Sequence, residues 1–77
     1  MTMGLKLKEA DALIARSDLN AIAAMIPMQA KIMDLGCGSG RLLKALKTLR
    51  NAKIMGVERD QDKIIECARR GVPVVQA

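Results

Sequence analysis

Three observations predict an α/β fold with a parallel sheet. Short apolar runs at residues 31–36, 53–58 and 73–77 are separated by two segments of helical period, over 41–49 and after Asp60. Strands alternating with helices through short loops imply parallel pairing. The first run closes in a loop with three glycines, Gly36, Gly38 and Gly40, that opens directly into the next helix, and the second run ends in an acid, Glu58. The predicted architecture is a βαβαβ core over residues 31–77. Its three parallel strands lie in spatial order 3-2-1, preceded by one or two helices within residues 1–27, and the chain forms a single domain.

Each element has a local reason. Residues 5–16, LKLKEADALIAR, bring Leu5, Ala10, Leu13 and Ile14 near helical spacing, with Lys8, Glu9, Asp11 and Arg16 elsewhere on the wheel, which predicts an amphipathic helix. Ser17 and Asp18 are good N-caps for a second helix through Ile22, Met25 and Ile26, which Pro27 ends. KIMDLG, residues 31–36, reads as a strand of buried type. Over 41–49, Leu42, Leu43, Leu46 and Leu49 form one stripe and Arg41, Lys44 and Lys47 the opposite one. KIMGVE, residues 53–58, is the second strand. Asp60 caps a helix through Ile64, Ile65 and Ala68, and Gly71 stands at its C′ position. PVVQA, residues 73–77, begins the third strand with Pro73 in first place, where a missing N–H is tolerated.

Composition narrows the function classes. The chain has 77 residues, 51% of them hydrophobic, with 13 basic against 8 acidic side chains. Its longest uncharged run, Leu19 to Ala30, contains Asn20, Pro27 and Gln29 and is too short for a bilayer span of about 20 apolar residues. Glu9 and Asp11 precede any long apolar run, so no secretory signal is predicted and a cytoplasmic location is expected. Cys37 and Cys67 stand far apart and there is no histidine, which argues against zinc, any other metal centre and a disulfide framework. No Phe, Tyr or Trp is present, and six methionines take their place as core fillers. So small a core sits close to break-even against chain entropy, and the aromatic-free alphabet suits an edited, reconstructed or fragmentary sequence.

The chemistry lies in Asp34-Leu35-Gly36-Cys37-Gly38-Ser39-Gly40. A glycine loop between a strand and a helix lets a ligand lie against bare backbone, with unpaired amides of the helix N-terminus facing it. Glu58 lies 22 residues beyond Gly36, and in a parallel sheet both strand ends meet at one carboxyl edge. A carboxylate there accepts hydrogen bonds from a ribose diol. The combination predicts a site for a nucleoside-containing cofactor on a half-Rossmann unit. Two other glycine motifs fail at one position: the dinucleotide fingerprint needs glycine where Arg41 stands, and the phosphate-binding loop G-x-x-x-x-G-K-[ST] is broken there too.

The remaining pattern, D-x-G-x-G-x-G, resembles the first motif of class I S-adenosylmethionine-dependent methyltransferases, and GVERD resembles their second. Over GVERDQDKIIECARRGVPVVQA the chain is most similar to the MetW group of that superfamily, linked to methionine biosynthesis. The resemblance implies that Gly36, Gly38 and Gly40 face the methionine half of S-adenosylmethionine, with Asp34 near its amino end, Cys37 in the same loop and Glu58 on the ribose. S-adenosylhomocysteine would be the product. Two departures stand out. Arg59 occupies a position that is usually apolar and covers the adenine, and the acid of the family's third motif would fall beyond Ala77. The acceptor-binding half would lie there as well, so the 77-residue chain is expected to be inactive alone, and its methyl acceptor is unknown.

Other features have plainer explanations. The run Arg41, Lys44, Lys47, Arg50 and Lys53 fits the solvent face of an amphipathic helix, and without aromatic platforms nucleic-acid binding is not expected. Cys37 and Cys67 read as small buried side chains, since no histidine is available to activate a thiol, and no residue qualifies as a catalytic base. A competing reading is a catalytically inert truncated, engineered or reconstructed fragment that folds by self-association. A nicotinamide-dependent oxidoreductase is disfavoured by Arg41. Both crossovers step the same way along the sheet, so right-handedness puts both helices on one face. The other face, and the edge of the strand over Lys31–Leu35, would be left open. A homodimer or domain-swapped form is therefore expected.

Overall fold

The computed structural model describes residues 2–3 and 16–77. The elements run β1 (Thr2–Met3), α1 (Arg16–Ala24), β2 (Lys31–Leu35), α2 (Arg41–Arg50), β3 (Lys53–Glu58), α3 (Gln61–Arg69) and β4 (Val74–Gln76). The helix expected over residues 5–16 lies, but for Arg16, outside the described residues. The expected α/β unit is present: β2, β3 and β4 pair in parallel in that spatial order, with Ile32 opposite Ile54 and Gly56 opposite Val74.

Two boundaries differ from expectation for identifiable reasons. The helix begun near Ser17 ends at Ala24 rather than Ile26. The amides of Met25 and Ile26 bond three residues back, to the carbonyls of Ile22 and Ala23, tightening the last turn ahead of Pro27. The Arg50 Nε–H group then donates to the Ala23 carbonyl at 2.7 Å and closes that helix end. The second difference is a correction. The edge of β2 is not wholly open, because Thr2 and Met3 pair in parallel with Lys31 and Ile32. So short a strand has no hydrophobic period of its own, and only the neighbouring ladder defines it.

The caps read from the sequence are in place. Asp60 accepts from the Asp62 amide at 2.9 Å at the head of α3, and Gly71 follows α3 with φ +72°. Asn51 closes α2 in the left-handed region, its amide donating to the Leu46 carbonyl, a conformation asparagine tolerates better than most residues.

Burial alternates along β2 and β3. Ile32, Asp34, Ile54, Gly56 and Glu58 point towards the helices, where Leu42, Leu43 and Leu46 of α2, Cys67 of α3 and Ala23 of α1 complete the core. The opposite sheet face is open: Met33, Leu35, Met55 and Val75 are 42%, 47%, 36% and 51% exposed. The face expected to stay open, because both crossovers place their helices on the same side, is thus exposed among the described residues. Leu49 leaves the leucine stripe and is exposed, so three leucines rather than four anchor α2. Among the described residues no helix is long and apolar enough to cross a membrane.

Candidate cofactor-binding site

The loop from β2 to α2 is built by alternating glycines. Gly36, Gly38 and Gly40 adopt φ of +77°, +60° and +83°, a region costly for residues that carry a Cβ. At Gly40 there is a second reason: a Cβ would come 3.0 Å from Cys67 Sγ and 3.2 Å from Val72. The Val57 carbonyl accepts from the amides of Gly36 (2.7 Å) and Cys37 (3.0 Å), which hangs the loop from the end of β3. Gly40 donates to the Cys37 carbonyl at 3.2 Å, and α2 starts with Lys44 N–H to the Gly40 carbonyl at 2.9 Å. The amides of Arg41, Leu42 and Leu43 precede the first full turn, outside the ladder of α2.

Glu58 meets this loop directly. Its Oε1 accepts from the Gly38 amide at 2.8 Å, and its Oε2 accepts from the amides of Arg59 (2.8 Å) and Asp60 (2.9 Å). The acid predicted from the end of β3 and the glycine loop 20 residues earlier therefore share one contact at the carboxyl edge. The carboxylate is 1% exposed and hydrogen-bonded at both oxygens, as a buried charge requires. Asp34 is also 1% exposed, on the helix-covered face of β2 opposite Gly56.

The remaining predicted residue, Cys37, divides. Its backbone belongs to the loop, while its side chain points into the core, 3.8 Å from Cys67 Sγ. Burial first, then the neighbouring Cys67 and the negative charges of Asp34 and Glu58, push its thiol up to about 12. At neutral pH it is protonated and no nucleophile.

Three residues of the site escaped sequence reasoning. The Cys67 thiol donates to the Gly38 carbonyl at 3.2 Å, and the Arg70 guanidinium donates to the Ser39 carbonyl at 3.0 Å, so the end of α3 holds the loop in addition to Glu58. The third is Gly56, where a Cβ would lie 2.5 Å from Cys37 Sγ. A glycine inside a strand is itself a signal of close approach, whereas nothing local marks Cys67 or Arg70.

Comparison with known proteins shows the family to which the sequence is similar. Residues 16–77 match the family model described as methionine biosynthesis protein MetW, a stretch that contains every site residue. Over 66 residues the chain is 33% identical to the bifunctional methionine biosynthesis protein MetXA/MetW of Rhodopirellula baltica, covering 75% of this chain and 11% of that protein. The chain thus spans little more than a tenth of that relative's length. No solved structure matches it.

Proposed function

The chain belongs to the MetW family of methionine biosynthesis proteins, and from that premise we propose that it binds S-adenosylmethionine as the cofactor part of a class I methyltransferase. One observation carries the reading: the Gly38 amide bound to Glu58 Oε1 at 2.8 Å, which unites the glycine loop and the acid at one sheet edge. Three left-handed glycines present backbone without side chains, and a carboxylate stands beside them. This donor set fits a ligand with a charged amino-acid end and a ribose diol.

Each residue's part is the one that the resemblance to the class I methyltransferases implies. The loop and the head of α2 would receive the amino-acid end, and Asp34 would supply a negative charge near its amino group. Glu58 would receive the ribose hydroxyls by exchanging them for the amide donors of Arg59 and Asp60, which keeps the carboxylate hydrogen-bonded throughout. When bound, the cofactor supplies an activated methyl group, and the protein's share is binding and orientation. Cys37 takes no proton-transfer role, because burial keeps it protonated.

A second reading draws on the burial of both acids. Glu58 and Asp34 at 1% exposure also suit a purely structural clamp in a folding unit that binds nothing. Isothermal titration with S-adenosylhomocysteine, S-adenosylmethionine and NAD separates the two. Heat with the first two and none with NAD supports the cofactor site. A folded chain that binds none of them supports the clamp.

A further inference from the structure

The chain's two cysteines face each other beneath the glycine loop. Cys37 Sγ, from the β2–α2 loop, lies 3.8 Å from Cys67 Sγ, from α3. Both are buried and neither is in a disulfide. Both thiols also point at one acceptor, the Gly38 carbonyl, at 3.7 Å from Cys37 and 3.2 Å from Cys67. Cofactor binding as proposed above uses neither sulfur. We propose that Cys37 and Cys67 are an oxidisable pair, which a peroxide or a small-molecule disulfide converts into an internal disulfide fastening the glycine loop to α3.

The sulfurs already stand 3.8 Å apart, and a disulfide bond is about 2 Å long, so closing it takes an approach of about 2 Å. The contacts also make the pairing selective. Each sulfur has the other in van der Waals contact, and these are the only cysteines in the sequence. With a peroxide the step balances as follows. The thiolate of one cysteine attacks a peroxide oxygen and releases hydroxide, which is protonated to water, leaving a sulfenic acid. The second thiol then displaces that hydroxyl as another water and forms the S–S bond. Two thiols lose two electrons and two protons, and one peroxide becomes two waters. With a small-molecule disulfide, two exchange steps release two equivalents of its thiol.

Burial keeps the pair reduced at rest. A thiol held protonated is a poor nucleophile, so oxidation passes through transient opening of the loop. Once formed, the cross-link spans 30 residues, including α2 and β3. Constraining the unfolded chain over that length should raise the thermal midpoint by about 10–20 °C. It also removes both S–H donors from the Gly38 carbonyl, so the loop that carries the proposed cofactor site becomes covalently tied to α3.

The test uses the folded 77-residue chain, treated with hydrogen peroxide or oxidised glutathione without denaturant and then alkylated. The expected product is a monomer lighter by two hydrogens, with residues 37 and 67 joined in one proteolytic species. Its thermal midpoint should be higher and return to the starting value with dithiothreitol. Cys67→Ser, which retains a hydroxyl donor for Gly38, should show neither change. If that variant does not fold, the wild-type mass and midpoint decide alone. The proposal is overturned if the folded chain keeps two alkylatable thiols while the urea-unfolded chain cross-links, or if only intermolecular disulfides form. An internal disulfide that leaves the midpoint unchanged or lowers it also refutes the latch. Because none of these readouts needs a ligand, failure here is distinct from failure of the cofactor reading.

Discussion

Replacing Glu58 probes the joint between the sheet and the loop. Glu58→Ala removes the acceptor of three backbone amides, those of Gly38, Arg59 and Asp60 at 2.8, 2.8 and 2.9 Å. A hydrogen bond to a charged group contributes about 1.5–3 kcal/mol. Arg59 and Asp60 are exposed residues whose amides can turn to water, while Gly38 is buried. The Gly38 contact therefore dominates, and the substitution should cost about 3–4 kcal/mol once relief from burying a charge is set against the lost bonds. Total stability for a chain of this length is roughly 4–12 kcal/mol, so the melting midpoint should fall by about 12–30 °C. Glu58→Gln keeps one oxygen acceptor but turns an NH2 group towards the other set of amides, and should cost about 1–3 kcal/mol. Urea titrations followed by far-UV circular dichroism, with hydrogen exchange at the Gly38 amide, measure both variants. A Glu58→Ala protein within 0.5 kcal/mol of wild type, roughly the level of a neutral surface substitution, would refute the clamp. Equal losses for Ala and for Gln, which keeps the volume of Glu, would show that acceptance by both carboxylate oxygens, rather than side-chain volume, holds the loop.

The glycines test space against backbone conformation. Gly56→Ala puts a Cβ 2.5 Å from Cys37 Sγ and 3.2 Å from Leu43 Cδ1 and should cost about 1–3 kcal/mol, less in a Cys37→Ala background, as a double-mutant cycle will show. Gly71→Ala meets nothing within 4 Å, so its expected loss of about 1 kcal/mol comes from the positive φ alone. Cys37 makes stability depend on alkaline pH: with its thiol raised from 9.0 to about 12, its contribution is complete below pH 9 and is lost as pH rises towards 12, because the unfolded thiol ionises first. Denaturant midpoints should fall over that window more steeply for wild type than for Cys37→Ala, and parallel curves would disprove the assignment. Finally, the open sheet face bearing Met33, Leu35, Met55 and Val75 should drive self-association of two copies. Sedimentation should show mass rising with concentration for wild type and a folded monomer for Met33→Glu combined with Met55→Glu, and a wild-type monomer at every concentration would contradict it.

Most of the fold was legible because its signals are local. Three apolar runs alternating with helical periods order β2 to β4 and α2 and α3, and parallel pairing follows from the alternation. Asp60 and Gly71 mark the ends of α3 through chemistry confined to a turn. The position of Glu58 beside the glycine loop was legible for a different reason: strand ends of a parallel sheet converge on one edge, so spacing along the chain translates into proximity. Gln29 and Asn51, both in the left-handed region, had no signal of comparable strength, since their conformations serve contacts with neighbouring elements. The Gln29 amide, for instance, donates to the Arg50 carbonyl at 2.7 Å.

By itself the sequence determined which segments become strands and helices, where the chain turns, and that a glycine loop and an acid belong to one edge. Periodicity, caps and left-handed glycines act over a few residues, so the order of residues is enough to specify them. Tertiary structure alone decided which strand face is covered, because the apolar side chains of β2 and β3 allow either side and the position of α1, α2 and α3 selects the one with Ile32 and Ile54. It also paired Thr2–Met3 with β2, turned Glu58 inward onto the Gly38 amide, and brought Cys37 to Cys67 across 30 residues. Contacts of this kind depend on side-chain direction and on the packing of elements distant in sequence, and no local pattern encodes either.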